Sequence, residues 1–340
     1  MKSLTIVDVA KLANVSVSTV SRVLNSHPDV SAKTREKVIA IIKNNSYIPN
    51  SNARDLKRES MRAIAVIIKG YSNPFFSSMI PVMQKLIEKN RYIMLIHQLD
   101  THDNEVDAAI SLCKEKKPRG LIFMGGNFTQ SSEKLAMIDV PYVMLTITMD
   151  ENIDRKTFSS VTIDDFQSGY EIANRIYDAG HRKVAVIASG HDDMSISRLR
   201  LDGFRCGLNE HNIELGEDKI AYTDDFTRAA GYECVKELLE RTQFSCLFCI
   251  SDIMALGAIR AIHDAGLSIP KDVSVIGFDG LDEGRYSIPS LATVKQPGEE
   301  MARRSVYILL NRLRTGASHK HDLFNVSFLE GESFANVERK

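Results

Sequence analysis

The chain has no apolar run that approaches the roughly 20 residues of a membrane-spanning helix. Its N-terminus also lacks the apolar core of a signal peptide, because Asp8, Lys11 and Asn14 interrupt that stretch. Cysteine is scarce, and five thiols in 340 residues indicate reduced cysteines rather than a disulfide framework. These absences predict a protein that remains in the cytoplasm.

Motifs for catalysis are missing as well. The sequence contains no P-loop, no G-x-S-x-G elbow and no HExxH, and Gly125-Gly126 lacks the remaining glycines of a dinucleotide-binding fingerprint. Cys246 and Cys249 form a CxxC, but their spacing in a strand-like run places the two sulfurs on opposite faces. His191-Asp192-Asp193 and His319-Lys320-His321 lie in polar, loop-like stretches. We therefore predict that the chain is not an enzyme and holds no metal and no cofactor.

What is present, first, is an uneven distribution of charge. The net charge is −1, yet residues 1–60 carry ten Lys and Arg against five Asp and Glu, whereas the remaining 280 carry 33 against 39. A basic head on an acidic body is typical of a phosphate-binding module joined to a domain that does not bind nucleic acid. The charge pattern therefore favours DNA binding by the head.

The head also has the pattern of three short helices. Thr5 and Asp8 form a reciprocal capping pair, Asn14-Val15 breaks the first helix, and Ser16–Asn25 and Lys33–Asn45 predict a second and a third. The apolar residues expected to face inward are Val9, Ala10, Ala13, Val20, Val23, Leu24, Val38, Ile41 and Ile42. Two short helices around a tight turn, followed by a third that closes the core, predict a helix-turn-helix.

This head resembles the N-terminus of the lactose-repressor (LacI/GalR) family of bacterial regulators. The matching segments are Val7–Ala10, Val15–Asn25, Thr34–Val38 and Tyr47–Asn50. The resemblance continues in the body to about Leu329, at Ser72–Phe76, Gly180–Arg182, Arg200–Phe204, Ser251–Ala258 and Val273–Asp279.

The second helix would read DNA. Arg22 can pair with guanine through two hydrogen bonds, Ser18 can bond to several bases, and Val17 offers a methyl contact to thymine. Ser16, Ser21 and Asn25 are better placed for phosphates, which position the protein without reading sequence.

Residues 49–60 form a polar bridge in which Ala53 and Leu56 share one helical face. The bridge alone is compatible with a plain linker, because a helix of about two turns is unstable in water. The resemblance implies instead a hinge helix that orders on DNA, with Asn50 and Ala53 at the minor groove and Leu56 inserted as an apolar wedge. Ordering the hinge would couple DNA affinity to the body.

From Met61 onward, strand-like runs alternate with amphipathic segments, which predicts an α/β body with parallel sheets. The predicted strands are Ala63–Ile68, Tyr92–His97, Gly120–Met124, Tyr142–Ile147, Val184–Ala188, Cys246–Ile250 and Val273–Phe278. The predicted helices are Phe76–Lys89, Glu105–Lys116, Tyr170–Ala179, Leu199–His211, Ala229–Arg241 and Ala255–Ala265.

We expect a DNA-binding head at 1–48, the hinge at 49–60 and a two-lobed, periplasmic-binding-protein-like body at 61–340. A new βα series begins near Val161, and Leu291–Gln296 with the helix Glu299–Arg314 suggests a return to the first sheet. Lobe 1 would then cover about 61–160 and 291–322, and lobe 2 about 161–290 and 323–340. About three crossings would join the lobes, with a cleft between them.

The resemblance implies an effector site in that cleft. Its residues would be Phe75, Phe76, Asp165, Arg200, Phe226 and Asp279. Aromatic faces suit the apolar face of a sugar or base, and Arg and Asp suit vicinal hydroxyls or ring heteroatoms. Ordinary core packing is the alternative for the three phenylalanines, and a helix cap is the alternative for Asp165.

Three departures from the family pattern leave the effector open. Gly70 stands where many members have Asp, Asp165 where Asn is frequent, and Ser251 where Asn is common. A sugar or sugar phosphate is the first expectation, and a nucleobase, a nucleoside or a protein co-regulator is the alternative.

The sequence therefore predicts a ligand-controlled transcriptional regulator that binds a near-palindromic operator as a homodimer, and the family resemblance implies that it is a repressor. A solute-binding protein of the same fold would need export and would not use residues 1–58. A sugar-processing enzyme would need paired carboxylates or a nucleophile constellation, which the sequence does not show.

Overall fold

The computed structural model describes residues 4–24, 27, 29–45, 62–100, 103–126, 132–190 and 196–337. The chain divides into two compact units, Met1–Met61 and Arg62–Lys340. Among the predicted DNA contacts, Asn25, Asn50, Ala53 and Leu56 lie outside the described residues.

The N-terminal unit consists of three helices, α1 (Ile6–Ala13), α2 (Val17–Leu24) and α3 (Ala32–Asn44). The predicted capping pair begins α1: the Thr5 hydroxyl accepts the Asp8 N–H at 3.3 Å, and the Asp8 carboxylate accepts the Thr5 N–H at 2.9 Å. The core combines the fully buried Val9, Ala10, Ala13, Val20, Val23 and Val38 with the partly buried Leu24, Ile41 and Ile42. The predicted three-helix head is thus confirmed.

The first lobe of the body contains a six-stranded sheet in which all strands are parallel. In spatial order the strands are β11 (His321–Phe324), β5 (Ser159–Ile163), β4 (Tyr142–Leu145), β3 (Gly120–Met124), β1 (Ala63–Lys69) and β2 (Ile93–Leu99). The helices of this lobe are α4 (Pro74–Lys89), α5 (Glu105–Lys116), α6 (Ser132–Leu135) and α12 (Gly298–Thr315).

The second lobe repeats this plan, with one antiparallel edge strand. Its sheet order is β12 (Ser327–Leu329), β10 (Ala292–Lys295), β9 (Ser274–Asp279), β8 (Cys246–Cys249), β6 (Val184–Ala188) and β7 (Ile220–Tyr222). Its helices are α7 (Asp165–Asp178), α8 (Ile196–Glu210), α9 (Arg228–Arg241), α10 (Asp252–Asp264) and α11 (Asp282–Arg285), with a 3₁₀ turn at Glu217–Lys219.

The prediction was wrong for two strands, β10 and β5, each of which belongs to the opposite lobe. β10 does not return to the first sheet: it pairs with β9 in the second sheet, with Lys295 opposite Asp279. β5, near the expected start of the second series, belongs to the first sheet. A short apolar run does not indicate which strand it will pair with. Here each strand stays in the preceding lobe and the helix that follows it belongs to the other: α12 follows β10 and lies in the first lobe, and α7 follows β5 and lies in the second. The chain crosses between the lobes after β5, after β10 and after β11.

The cysteine pair of β8 is inert in this fold. Cys246 and Cys249 are fully buried, and burial raises the pKa of both thiols, so neither is activated as a thiolate. Within the described ranges, none of the helices is both long and apolar enough to span a bilayer.

Candidate DNA-reading and effector sites

The start of α2 is shaped by hydroxyl groups. The Ser16 hydroxyl accepts the Thr19 N–H at 3.2 Å and lies 2.8 Å from the Thr19 hydroxyl and 2.7 Å from that of Ser18. Ser16 therefore caps the helix, which satisfies a backbone donor that would otherwise lack a partner at the helix start. In the isolated head, two of the predicted DNA contacts thus also hold each other in place.

One face of α2 presents the remaining predicted contacts. At about 100° per residue, Val17, Ser18, Ser21 and Arg22 fall within roughly 140° of one another, opposite the buried Val20. Val17 is 41% exposed, and Ser18 and Arg22 are exposed as well. A methyl group, a hydroxyl and a guanidinium side by side on an exposed helix suit the edges of base pairs in the major groove.

In the body, the predicted effector residues Asp165 and Arg200 meet between α7 and α8. Asp164 caps α7 by accepting the Gln167 N–H at 2.8 Å, so Asp165 is the first helical residue and is not needed as a cap. The two helices can approach closely because Gly203 has no side chain. A Cβ at that position would lie 1.9 Å from the Phe166 carbonyl oxygen. This approach brings Arg200 Nε within 2.8 Å of Asp165 Oδ1.

Arg200 is held from three sides. Besides the Asp165 carboxylate, its Nη1 donates to the Ile250 carbonyl at 2.9 Å and lies 3.7 Å from Asp279 Oδ1. Its guanidinium carbon lies 3.7 Å from the centre of the Phe278 ring. The side chain is 3% exposed, so these contacts act in a poorly solvated environment where they are strong and directional.

Asp279 joins the two lobes. It ends β9 with φ at +126°, a strained conformation for a residue with a side chain, and such strain often accompanies functional sites. Its Oδ2 accepts the Ser251 hydroxyl at 2.8 Å and the Asn73 amide at 3.2 Å, and its Oδ1 accepts the Gln296 amide at 2.8 Å. Asn73 caps α4 of the first lobe, so this carboxylate is bonded across the cleft.

Gln296 leaves one acceptor unused. Its amide nitrogen donates to Asp279, whereas its Oε1 is buried and has no hydrogen-bond partner in the described structure. The residue is 4% exposed. A buried carbonyl without a donor is destabilising by about 1–3 kcal/mol, which a ligand hydroxyl or N–H would relieve.

The three phenylalanines differ in their surroundings. Phe75 and Phe76 are buried in the large apolar core with ring centres 5.6 Å apart, and Phe75 also lines a cavity that contains Asp279 and Gln296. Phe226 is half-buried in the loop between β7 and α9 and packs against the same core. Core packing is therefore part of the role of each ring.

Burial changes the acidity of the cluster. It raises the pKa of Asp165 to about 6, although Arg200 opposes the shift. It also raises the pKa of Asp279, again against Arg200. The pKa of Asp252, the residue after Ser251, is raised to about 7 by burial and by the charge of Asp279.

The structure thus brings together Asp165, Arg200 and Asp279 among the six predicted effector residues. It adds Asn73, Gln296 and Ser251, the last of which we had noted only as a departure from the family pattern. Two of these positions could have been recognised in the sequence as helix starts, because each precedes a proline. Asn73 precedes Pro74, the first residue of α4, and Gln296 precedes Pro297, which caps α12. Gly70, the other departure, has φ at +79° and suits the turn before α4.

Comparison with known proteins gives two family matches. Residues 5–50 match "Bacterial regulatory proteins, lacI family", and residues 173–334 match "Periplasmic binding protein-like domain". The HTH-type transcriptional regulator MalR of Clostridium butyricum is 40% identical over 333 residues, covering 97% of this chain and 99% of the relative.

Solved structures agree with this similarity along nearly the whole chain. The lac repressor dimer bound to operator and the anti-inducer ONPF is 27% identical, with a TM-score of 0.74 and coverage of 98% and 99% of the two chains. A complex of the transcriptional regulator CelR with cellobiose is 26% identical, with a TM-score of 0.71 and coverage of 97% and 100%.

Proposed function

Because the chain belongs to the lacI family of bacterial regulatory proteins, and is a DNA-binding transcriptional regulator rather than an enzyme, we propose that a small molecule bound between its lobes sets its affinity for an operator. The observation that carries this proposal is the hydrogen-bonded contact between the lobes. Asn73 from one lobe bonds to Asp279 of the other beside an unpaired Gln296 oxygen, so a ligand there would contact both lobes at once.

The DNA-binding half of the proposal rests on α2. Val17, Ser18 and Arg22 would read base edges, and Ser16, Ser21 and Asn25 would contact phosphates. The segment with Asn50, Ala53 and Leu56 would act as a hinge that orders in the minor groove. A ligand that favours one arrangement of the lobes would thereby favour or disfavour the ordered hinge.

We also propose a homodimer, because a near-palindromic operator would be matched by two subunits related by a two-fold axis, as in the lac repressor dimer bound to operator. Apolar side chains are available for such an interface: Ile93 and Ile96 are exposed on β2, an edge strand, and Tyr286 and Ile288 are exposed after α11. Light scattering of the full-length protein is expected to give the mass of two chains, and a monomer at micromolar concentration would contradict this part of the proposal.

For the effector we propose a sugar or sugar phosphate. The paired Arg200 and Asp165, the Asp279 carboxylate and the Gln296 carbonyl provide several hydrogen-bonding groups in a small buried volume, as recognition of vicinal hydroxyls requires. The structural relative CelR was solved with cellobiose. A nucleobase or a protein co-regulator is the alternative.

The test begins with a near-palindromic operator selected by the full-length protein from random DNA. Operator affinity is then measured by fluorescence anisotropy with sugars, sugar phosphates and nucleobases. We expect a sugar or sugar ester to change it, and Arg200→Ala to abolish the change while operator binding is retained. Arg198→Ala is the matched control, because Arg198 lies on the same helix and pairs with Asp202 at a more exposed position. An effect of nucleobases alone would favour a nucleobase effector, and retained operator binding with no effect of any small molecule would favour a protein co-regulator.

A further inference from the structure

Asp252, the first residue of α10, is a carboxylate enclosed within the second lobe. It is fully buried, and each of its oxygens accepts a hydrogen bond from this lobe. Oδ2 accepts the Leu281 N–H at 2.6 Å, and Oδ1 accepts the Thr293 hydroxyl at 2.6 Å. Because both oxygens are engaged inside the lobe, the role of Asp252 lies in the backbone that it holds.

That backbone is the turn Asp279–Leu281 at the end of β9. Asp279 has φ at +126°, and Gly280 after it has φ at +76°. A residue with a side chain keeps such a strained conformation only when the surrounding structure fixes it. Asp252 supplies one such constraint, because it binds the N–H of the residue that ends this turn. A Cβ at Gly277 would lie 2.1 Å from Asp252 Oδ1, so the strand also makes room for this carboxylate.

The residue before Asp252 is bonded to the same turn. Ser251 occupies the N-cap position of α10, but its side chain makes no capping hydrogen bond to that helix. Its hydroxyl donates instead to Asp279 Oδ2 at 2.8 Å. Two adjacent residues therefore hold Asp279 in different ways: Ser251 binds its carboxylate, and Asp252 binds the backbone that follows it.

The orientation of Asp279 decides whether the lobes are bonded to each other. Asn73 of the first lobe donates to the same Oδ2 at 3.2 Å, which is near the upper end of the normal range for a hydrogen bond. Such a bond weakens steeply when its angle or length changes. If the turn relaxed from its positive φ, the Asp279 carboxylate would move and the bond to Asn73 would be lost.

We infer that Asp252 is a positioning residue of the contact between the lobes, because it fixes the strained turn from which Asp279 reaches Asn73. The inference rests on the proposed function only in taking this contact as the route by which a small molecule changes operator affinity. Asp252 thus acts on a residue of the other lobe through Asp279.

A double-mutant cycle on the melting temperature of the full-length protein tests this indirect action. Asp252→Ala removes the acceptor for the Leu281 N–H. Asn73→Ser removes the donor to Asp279 and keeps a side-chain oxygen that can cap α4. We expect Asn73→Ser to lower the melting temperature less than about half as much in the Asp252→Ala background as in the wild type, because the bond is already lost there. Additive losses would overturn the inference.

Ser333→Ala is the matched control for a general loss of stability. Ser333 is fully buried in the same lobe and bonds to β9 and β10, where its hydroxyl donates to the Val275 carbonyl at 2.7 Å and accepts the Ala292 N–H at 2.9 Å. Val275 precedes Asp279 by four residues, so this site is remote from the turn. In this background Asn73→Ser should have its full effect. A reduced effect here as well would mean that any destabilisation of the lobe suffices, which would contradict positioning by Asp252.

Two further variants keep the test decisive if Asp252→Ala does not fold. Asp252→Asn should restore the full effect of Asn73→Ser, because an amide oxygen can accept the Leu281 N–H and an amide nitrogen can donate to the Thr293 hydroxyl. Leu281→Pro removes the donor instead, and the φ of −66° at Leu281 is one that proline adopts. It should behave like Asp252→Ala. A reduced effect of Asn73→Ser in Asp252→Asn, or its full effect in Leu281→Pro, would refute the assignment.

The operator assay separates this inference from the proposed function. The probe is the panel compound that changes the operator affinity of the wild type most strongly. We expect Asp252→Ala or Leu281→Pro to reduce this change at least about threefold, and Ser333→Ala to preserve it. An undiminished change in Asp252→Ala and Leu281→Pro would overturn the inference and leave the proposed function standing. If no compound acts on the wild type, the proposed small-molecule response fails, and the double-mutant cycle alone decides the inference.

Discussion

Replacing Arg200 by alanine should destabilise the body in a manner that depends on pH. The side chain is buried and its removal would leave the Asp165 carboxylate without its cation and the Ile250 carbonyl without its donor. Breaking a buried ion pair from one side is typically destabilising by about 3–5 kcal/mol, because the remaining charge has no partner. A carboxylate can escape this penalty by binding a proton.

The raised pKa of Asp165 sets the free-energy cost of that protonation at each pH. With a pKa of about 6, protonation at pH 8 costs about 3 kcal/mol, and at pH 6 almost nothing. The lost hydrogen bond to Ile250 adds about 1 kcal/mol at either pH. The loss of unfolding free energy in Arg200→Ala is therefore expected to be about 4 kcal/mol at pH 8 and about 1 kcal/mol at pH 6.

Urea unfolding of the full-length protein at the two pH values measures this difference. Arg198→Ala is again the control, since its ion pair with Asp202 is partly exposed and should contribute less than about 1 kcal/mol at both. An equal loss at both pH values in Arg200→Ala would refute the reasoning, because it would mean that no buried carboxylate depends on this guanidinium.

Three further predictions concern DNA binding and acidity. Arg22→Ala is expected to reduce the preference for operator over random DNA by roughly 1–3 kcal/mol, whereas Ser21→Ala, at a predicted phosphate contact on the same helix, should weaken both alike. Competition binding measures this preference, and unchanged discrimination would remove Arg22 from the reading face. Leu56→Ala is expected to weaken operator binding with little change in effector affinity, and operator binding equal to wild type would exclude the wedge. In the wild type, burial holds the pKa of Asp165 at about 6 and of Asp252 at about 7, above the ordinary 3.8. The folded state thus binds extra protons, and stability to urea is expected to fall as pH rises from about 4 to about 7 and then to level off; a flat profile would contradict the buried acids.

Much of the head could be predicted because its information is local. Capping by Thr5, the break at Asn14 and the inward spacing of Val9 and Val20 depend on residues a few positions apart. The same holds for the ends of the longer body helices, although α7 begins five residues before the predicted Tyr170 because Asp164 caps it. Three short strands, β7, β11 and β12, escaped prediction, since runs of three or four residues carry little periodicity.

The candidate site could be predicted only in part. Arg200 and Asp279 were recognised through segments that resemble the family, Asp165 was recognised at a position where it departs from the family pattern, and the three do lie together. The sequence analysis did not assign three further residues to the effector site, because each has an ordinary structural explanation. Asn73 caps a helix, Gln296 follows the end of a strand, and Asp252 begins a helix. Their hydrogen bonds to Asp279, or to the turn that follows it, span 17 to 206 positions along the chain.

The amino-acid sequence by itself determined the class of this protein: a capped three-helix head with a basic bias, followed by alternating strands and helices with the motifs of a known family. Tertiary structure alone decided which strand joins which sheet and where the chain crosses between lobes. It also decided that two carboxylates, Asp165 and Asp279, share one guanidinium. The physical reason is range. Periodicity and capping act within a few residues, whereas strand pairing, burial and the acidity of Asp165, Asp252 and Asp279 arise only when distant segments exclude water together.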